Sequence, residues 1–333
     1  MTTFKMLARD IVALVLTMLI AWGCTQSDSP KAPKLQTLTF QLHWIPDTHQ
    51  LGFWTALDKG FYRQNGLNVT IHPGGLDANP LRDVVSGSAD VGQVGGIEQV
   101  CTAVSEGLPI KAIASIHRET PHALISLSTK PIRKPADFAG AKIAVAYGDT
   151  AEILLRTYMN EAHIPENSVS LVPFKFDLGP LLNGQVDAIT GFSTGQPATL
   201  EKLGRSPVVL SYASVGVSSY GYTLVASIDT LAKKQSAIRK FLKASRMGWE
   251  YAFSHPDESI ALLKKRFGDV IDEQLSLREL QLIAPLMQMK DGKLPSWKLD
   301  GTRVTGVLGY LQKQGQLKKN IPAASVYDNS LTE

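Results

Sequence analysis

The residues best suited to contact a small molecule are concentrated around one turn near the start of the chain. Aromatic rings, imidazoles and one carboxylate fall within this stretch, at His43, Trp44, Asp47, His49, Phe53 and Trp54. Stacked rings with a few polar groups suit a planar, polar small molecule. Phe53 and Trp54 have the alternative of packing in the core as one face of a helix, whereas Trp44 and His49 border the turn itself.

The elements around this turn predict an α/β protein. An apolar run over 38–44 predicts a strand, Pro46-Asp47 breaks it, and residues 51–59 have helical periodicity. Strands and helices then alternate, which is typical of helices packed on mainly parallel sheets, and after Asp229 the pattern becomes helical. Loops at the carboxyl ends of such strands are where ligands bind.

One sequence pattern occurs twice and predicts two similar lobes. Residues 85–91 and 182–188 share the order apolar, polar, Gly, polar, small, Asp, apolar. In each copy the glycine is placed to end a helix and the aspartate to begin a strand. We therefore expect one lobe from residues 38–125 and 220–333, a second from residues 126–219, and a hinge with a central cleft between them.

Composition excludes several classes of protein. The 333 residues are 44% apolar with a formal charge of +4, and no basic block or basic–aromatic ladder indicates nucleic-acid binding. Cys24 and Cys101 are the two cysteines, so no CxxC motif can form a zinc ribbon. No nucleotide-binding fingerprint occurs, and we expect no cofactor.

The first residues have the pattern of an export signal. Basic residues precede an apolar run over 11–22, which is shorter than the ~20 residues of a membrane-spanning helix. Gly23-Cys24 resembles the lipobox of bacterial lipoproteins, so we expect a signal peptide over 1–23 and lipidation of Cys24. The alternative is an ordinary signal peptide with an unrelated cysteine, and both place the protein in the cell envelope. Residues 24–37 are polar and predict a flexible tether.

Four longer segments resemble the thiamine pyrimidine synthase-like family of ABC transporter substrate-binding proteins. They are LHWIPDTHQLGFWTALDKGFYRQNGLNVTIHPGG, GSADVGQVGGIEQVCTAVSEGLPIKAIASI, ADFAGAKIAVAYGD and LLNGQVDAITGFSTGQPATLEKLG, in the family's order over roughly 38–255. The resemblance implies a type 2 periplasmic-binding-protein fold and a monomer that delivers a small solute to an ABC permease and its ATPase. It favours a thiamine pyrimidine precursor of the hydroxymethylpyrimidine or formylaminopyrimidine type; a sulfonate, nitrate, taurine or riboflavin remains an alternative.

The resemblance also implies which residues contact the solute. They are Trp44, Asp47 and His49 at the first turn, Gly95, Gly96 and Ile97 at one helix start, Tyr147, Gly148, Asp149 and Thr150 at another, and Phe192 and Gln196 in the second lobe. Free amides at a helix start can bind an anionic or carbonyl oxygen. Relatives that bind pyrimidine precursors carry Asn-Glu-Pro where this chain has Gly195-Gln196-Pro197, so a neutral amide replaces a carboxylate here.

Three rival chemistries remain to be weighed against binding. Residues 191–195 match the GxSxG nucleophile elbow, with Ser193 as nucleophile and His255 as the only downstream histidine. His43, Asp47, His49 and His72 could be proposed as metal ligands, but strand alternation would separate neighbouring side chains and no HExxH occurs. The third is a family enzyme that makes the pyrimidine from pyridoxal phosphate and histidine, which needs a site lysine; Lys59 is expected to point outward.

Overall fold

Strands and helices alternate through most of the computed structural model, which describes residues 35–288 and 291–332. The strands are β1 Gln36–Gln41, β2 Leu67–His72, β3 Val91–Gly96, β4 Ile110–His117, β5 His122–Leu127, β6 Lys142–Val145, β7 Ser170–Pro173, β8 Ala188–Phe192, β9 Pro207–Ser211 and β10 Gly221–Ser227. The helices are α1 Leu51–Asp58, α2 Phe61–Gln64, α3 Pro80–Ser86, α4 Ile97–Glu106, α5 Thr150–Glu161, α6 Gly179–Leu182, α7 Gln196–Lys202, α8 Ile228–Ser254, α9 Pro256–Phe267, α10 Glu273–Met287 and α11 Gly301–Lys313.

The strands form two five-stranded sheets with the same internal arrangement. One has the order β2-β1-β3-β10-β4 and the other β7-β6-β8-β5-β9. In each sheet four strands run in the same direction, and the fourth strand in the order is antiparallel to both of its neighbours. Apolar side chains are buried on both faces of each sheet, as expected where helices cover both sides. The prediction of two similar α/β lobes is confirmed.

The repeated sequence pattern has the same structure in both lobes. Gly87 and Gly184 both adopt left-handed backbone conformations, with φ of 80° and 69°, at the end of a helix. Asp90 then accepts a hydrogen bond from the backbone N–H of Thr39 on β1 at 2.9 Å. Asp187 accepts the equivalent bond from Lys142 on β6, also at 2.9 Å. Each aspartate therefore joins the start of its own strand to the neighbouring parallel strand.

The chain passes between the lobes at two adjacent segments. The first runs from β4 to β5 and the second from β9 to β10, and they are joined by a bond from the Thr120 N–H to the Ser219 carbonyl at 2.9 Å. Because β5 begins at His122 and belongs to the second sheet, the predicted boundary between residues 125 and 126 is wrong: it falls inside a strand. The chain therefore passes from the first lobe to the second before His122.

Two predicted element boundaries also move. β1 begins at Gln36, inside the predicted tether, and ends at Gln41 instead of continuing to Trp44. His43 and Trp44 therefore do not alternate across a strand; their ring centroids lie 6.2 Å apart with planes tilted by 32°. The predicted signal peptide, Cys24 and most of the tether lie outside the described residues. Among the described helices, none is both long and apolar enough to cross a membrane.

In the first lobe, α1 and α8 cross with their backbones in contact. A Cβ atom added at Gly248 would lie 2.0 Å from the carbonyl oxygen of Gly52, and one added at Gly52 would lie 2.2 Å from the Trp249 ring. Trp249 is fully buried in the same cluster as Phe40, Phe53 and other apolar side chains of this lobe. Glycine at both positions is what allows the helix that follows the first turn to pack this closely.

We expect Gly248→Ala to reduce the free energy of unfolding by about 3 kcal/mol or more, because the added methyl group must displace backbone. Gly309→Ala is the matched control, since it also lies inside a helix but has open space around it. That substitution should stabilise the protein by about 0.5–1 kcal/mol. Urea denaturation of both variants measures the difference, and equal midpoints would contradict the proposed crossing.

Candidate functional site

A cleft of about 1320 Å³ lies between the two lobes. Eight of the twelve residues predicted to contact solute line it: Trp44, Asp47 and His49 from the first lobe, and Tyr147, Gly148, Asp149, Phe192 and Gln196 from the second. The other four, Gly95, Gly96, Ile97 and Thr150, do not line it. They lie where the starts of α4 and α5 meet, since a Cβ added at Gly96 would be 2.8 Å from Thr150.

The helix starts do not offer the free amides that were expected of them. At the start of α5 the Asp149 carboxylate accepts from the Thr150 N–H at 2.7 Å, and Glu152 accepts from the Gly148 N–H at 2.9 Å. Before α4 the Gly95 N–H donates to the Gln99 side chain at 3.0 Å. The protein's own side chains thus occupy donors that an anionic solute would need.

Two aromatic side chains meet across the outer part of the cleft. The ring of Trp44 lies 4.7 Å from that of Phe176, which belongs to the opposite lobe and packs on Phe174 at 5.2 Å. Phe176 has φ of +59°, an uncommon conformation for a bulky residue. Sequence reasoning missed Phe176, although it lies just beyond the end of β7 as Trp44 lies just beyond the end of β1. Together these rings form an aromatic wall for a planar solute.

His49 joins the two lobes near this wall. Its Nε2 atom lies 2.7 Å from the Thr194 hydroxyl of the second lobe, and its Nδ1 atom lies 3.3 Å from the Asp47 carboxylate. Burial disfavours the charged form of His49, but Asp47 outweighs burial and the pKa is raised. His49 therefore joins the two lobes, with Nε2 bonded to Thr194 and Nδ1 in electrostatic contact with Asp47.

Tyr222 lies at the centre of the inner end of the cleft. The rings of His49, His117 and Phe192 surround it, with centroid distances of 5.8, 5.0 and 5.5 Å. His43 lies 6.4 Å away. Tyr222 has φ of +35°, and such backbone strain is characteristic of sites where the surrounding structure imposes an unusual conformation.

Two histidines at this inner end are buried without protein partners. Neither ring nitrogen of His117 or His122 has a hydrogen-bond partner, and their exposures are 0% and 3%. Burial lowers the pKa of His122 to about 4 and that of His117 well below its usual value. Both rings are therefore neutral at physiological pH. His122 lines the cleft and His117 does not.

Gln196 presents a hydrogen-bond donor to the cleft. Its side-chain oxygen accepts from the Phe192 N–H at 2.8 Å. Because a backbone N–H can only donate, this bond fixes the amide orientation and leaves the NH₂ group available to a solute. A Cβ added at Gly191 would come within 2.9 Å of this amide, so the absence of a side chain at Gly191 makes room for it.

Charge in the cleft is predominantly negative. Asp47, Asp149 and Glu279 line its interior, and Arg82 is the only cation among the described residues that line it. The Arg82 side chain is 67% exposed and pairs with Asp83. Carboxylates that outnumber the cations disfavour an anionic solute and accommodate a neutral or weakly basic one.

Comparison with known proteins identifies the family. The sequence model of the family described as NMT1/THI5 like matches residues 47–259. The chain belongs to the NMT1/THI5-like family. The formylaminopyrimidine-binding protein of Halalkalibacterium halodurans is 21% identical, over 97% of this chain and 98% of that protein. The riboflavin-binding protein RibY of Chloroflexus aurantiacus is 25% identical, over 87% of this chain and 81% of that protein.

The fold of this NMT1/THI5-like protein is that of the periplasmic binding proteins. The aliphatic sulphonate binding protein SsuA of Escherichia coli superimposes with a TM-score of 0.68 over 88% of this chain and 97% of its own, at 17% identity. The predicted fold class is confirmed by this similarity and by the two sheets. The comparisons support a family of solute-binding proteins, and two of the relatives are named for different heteroaromatic solutes.

The rival chemistries have no geometric support in this family member. Lys59 contacts Glu258 at 2.8 Å and Tyr251 at 3.0 Å and does not line the cleft. His255 is bonded to Ser254 and stacked on Tyr251, so it is engaged away from Ser193. Within residues 35–288 and 291–332, no group of three or more potential ligands is arranged to hold a metal ion.

Thr194→Val should weaken solute binding because it removes the hydroxyl that joins His49 to the second lobe. A neutral hydrogen bond contributes about 1 kcal/mol, so we expect roughly a fivefold rise in Kd, with an unchanged melting temperature for the lobes themselves. Calorimetric titration with the copurifying solute measures this. Thr305→Val, on exposed α11, is the control; equal effects of the two substitutions would show that the bond does not stabilise closure.

Protonation of His122 should make the protein less stable in acid. Its folded pKa lies below the unfolded value, so the unfolded chain binds more protons and stability falls as pH drops from about 6.5 to about 4. In His122→Phe the free energy of unfolding should therefore fall by about 3 kcal/mol less between pH 7 and pH 4 than in the wild-type protein. Denaturation at pH 7 and pH 4 compares the two proteins without solute. Identical pH dependence in both would contradict the assigned environment of His122.

Proposed function

We propose that this protein is the solute-binding component of an ABC importer and captures a small heteroaromatic solute that is neutral or weakly basic. The observation that carries the proposal is the cleft itself, in which an aromatic wall and neutral polar side chains face a solute from both lobes. Such a site binds without catalysis, because closure around the solute requires only contacts made by both lobes together. A permease and an ATPase are the partners that this role requires.

A thiamine pyrimidine precursor is the first candidate solute. The formylaminopyrimidine-binding relative supports it, and Gln196 can donate to a ring nitrogen while its oxygen retains a free lone pair for an amino group. Riboflavin is the second candidate, supported by the riboflavin-binding relative and by a cleft larger than one pyrimidine needs. A sulfonate, nitrate or taurine is disfavoured because the helix-start amides are occupied and the nearest charges are carboxylates.

The enzymatic alternative is a pyrimidine synthase of the same family. It lacks support in the site, since no lysine is present among the described lining residues. Cys101 is fully buried in the apolar face of α4, and burial raises the pKa of its thiol. A buried thiol with a raised pKa is unreactive. These observations favour binding over turnover.

The proposed location is the bacterial cell envelope. We propose that residues 1–23 act as a signal peptide, that Cys24 is lipidated, and that the following residues tether a monomeric binding domain to the membrane. The domain from residue 35 onward is a compact unit by itself, so protein lacking residues 1–24 is expected to be a soluble monomer. Mass spectrometry of the purified full chain tests for the lipid, and an unmodified Cys24 would contradict the anchor.

Identification of the solute requires two measurements. Mass spectrometry of the molecule that copurifies with the folded protein names candidates, and calorimetry with formylaminopyrimidine, 4-amino-5-hydroxymethyl-2-methylpyrimidine, riboflavin and an alkanesulfonate ranks them. The proposal expects a heteroaromatic compound to bind and the sulfonate not to bind. Chemical conversion of the bound compound would instead support the synthase.

Trp44→Ala should weaken binding of this solute about tenfold, or about 1.4 kcal/mol, because it removes the first lobe's half of the aromatic wall. The fold should be unchanged, since Trp44 lies outside the buried core. Leu203→Ala is the control: Leu203 is a large, exposed side chain that does not line the cleft. Unchanged calorimetric affinity of Trp44→Ala would remove Trp44 from the site.

A further inference from the structure

Several buried polar atoms at the inner end of the cleft, around Tyr222, have no hydrogen-bond partner. Both nitrogens of His122, both nitrogens of His117, the Nδ1 atom of His43 and the NH₂ group of Gln93 have no partner among the described residues. Each such buried group costs about 1–3 kcal/mol unless something bonds to it. Buried polar groups in native proteins are almost always paired, with protein, water or ligand.

Two of these histidines are placed to meet a solute. His122 and His43 both line the cleft, whereas His117 and Gln93 lie behind them. His122 packs edge-on against Phe192 at 4.6 Å, and His43 lies beside Trp44 at 6.2 Å. A ring stacked on the aromatic wall therefore has His43 at its edge, with His122 deeper along the inner end.

The chemistry of a neutral imidazole restricts what can bind there. It offers one N–H donor and one acceptor nitrogen, and the lowered pKa of His122 keeps it in this form. A carboxylate or sulfonate can only accept, and an ammonium group can only donate. A hydroxyl group donates and accepts at once, so it is complementary to neutral imidazoles and can satisfy a donor and an acceptor together.

We propose that His122 and His43, which line the cleft on the ring cluster of Phe192 and Tyr222, form a subsite that binds a hydroxyl group carried on a substituent of the heteroaromatic ring. The inference rests on the proposed function, because it requires that a ring occupies the aromatic wall. It applies to a hydroxymethyl group on a pyrimidine and to the polyol chain of a flavin, which share this chemistry. It assigns His122, which sequence reasoning did not select.

Two matched pairs of ligands test the subsite on the wild-type protein. Riboflavin is compared with lumiflavin, which has the same ring system and no hydroxyl groups, and 4-amino-5-hydroxymethyl-2-methylpyrimidine is compared with 4-amino-2,5-dimethylpyrimidine. We expect the hydroxylated member of whichever pair binds to have a Kd at least about tenfold lower. Riboflavin preference would indicate the polyol and pyrimidine preference the hydroxymethyl group.

Substitutions then test whether His122 is the residue responsible for the preference for the hydroxylated ligand. His122→Phe keeps an aromatic ring against Phe192 but removes both nitrogens, so the two members of the pair should bind equally while the hydroxyl-free member keeps its wild-type Kd. His117→Phe is the matched control, since it removes two equally buried, unpartnered nitrogens that do not line the cleft. It should leave the preference unchanged.

The outcomes separate this inference from the proposed function. If neither pair binds, the proposed function fails and the subsite fails with it. If rings bind but the wild-type protein shows no preference for the hydroxyl group, or if His122→Phe retains the preference, the subsite alone is overturned. Should His122→Phe not fold, nitrogen NMR shifts of His122 in the wild-type protein replace it: they must change with the hydroxylated ligand and not with its partner.

Discussion

The insertion of β10 between β3 and β4 is the constraint on which the rest of the structure depends. The strand returns from the second lobe into the middle of the first sheet and runs antiparallel to both neighbours. At its start the two chain crossings are in contact, since a Cβ added at Gly221 would lie 2.4 Å from Pro121. A glycine is required at position 221, and the backbone of the next residue, Tyr222, has an unfavourable φ of +35°. This arrangement carries Tyr222 from the hinge directly to the inner end of the cleft, so hinge and binding site are one structure.

The polar groups of the cleft are divided between those that hold the protein together and those left for a solute. His49, Asp47 and Asp149 already have protein partners, and the helix-start amides are capped by neighbouring side chains. The nitrogens of His122 have no partner among the described residues, and the bond from the Phe192 N–H to the Gln196 oxygen directs the NH₂ group of Gln196 to donate elsewhere. What remains is neutral, which suits the neutral or weakly basic solute that we propose.

The sequence predicted those features that depend on short-range order. Alternating strands and helices and the repeated Gly–Asp pattern gave both lobes, because the left-handed glycines and strand-start aspartates act on residues close by in each lobe. The turn at Trp44 stood out by its residue types at the end of an apolar run, whereas Tyr147 and Phe192 came from the family resemblance; all three line the cleft. The boundary at residue 125 was misplaced because β5 is buried and mostly apolar, and such a run does not show which sheet it joins.

The site residues that were missed or misplaced depend on contacts between lobes. Nothing in the local sequence shows that His49 bonds to Thr194, that Phe176 reaches Trp44, or that Thr150 turns toward Gly96 instead of the cleft. His122 is hidden in an apolar strand pattern, and only the three-dimensional arrangement shows that its nitrogens have no partner. Capping by Asp149 could have been inferred, because an aspartate before a helix start commonly accepts from that helix.

The contacts that close the cleft are individually weak, and this determines how a solute controls the protein. One neutral hydrogen bond between His49 and Thr194 contributes roughly 1 kcal/mol. The ion pair between Arg278 and Glu201 is largely exposed and contributes about 0–1 kcal/mol. These gains are opposed by the cost of the unpartnered polar atoms at the inner end. A solute that pairs those atoms and stacks on Trp44 removes the opposing cost and adds contacts from both lobes. Recognition at the inner end and closure at the outer wall are consequently coupled, since the same solute contributes to both.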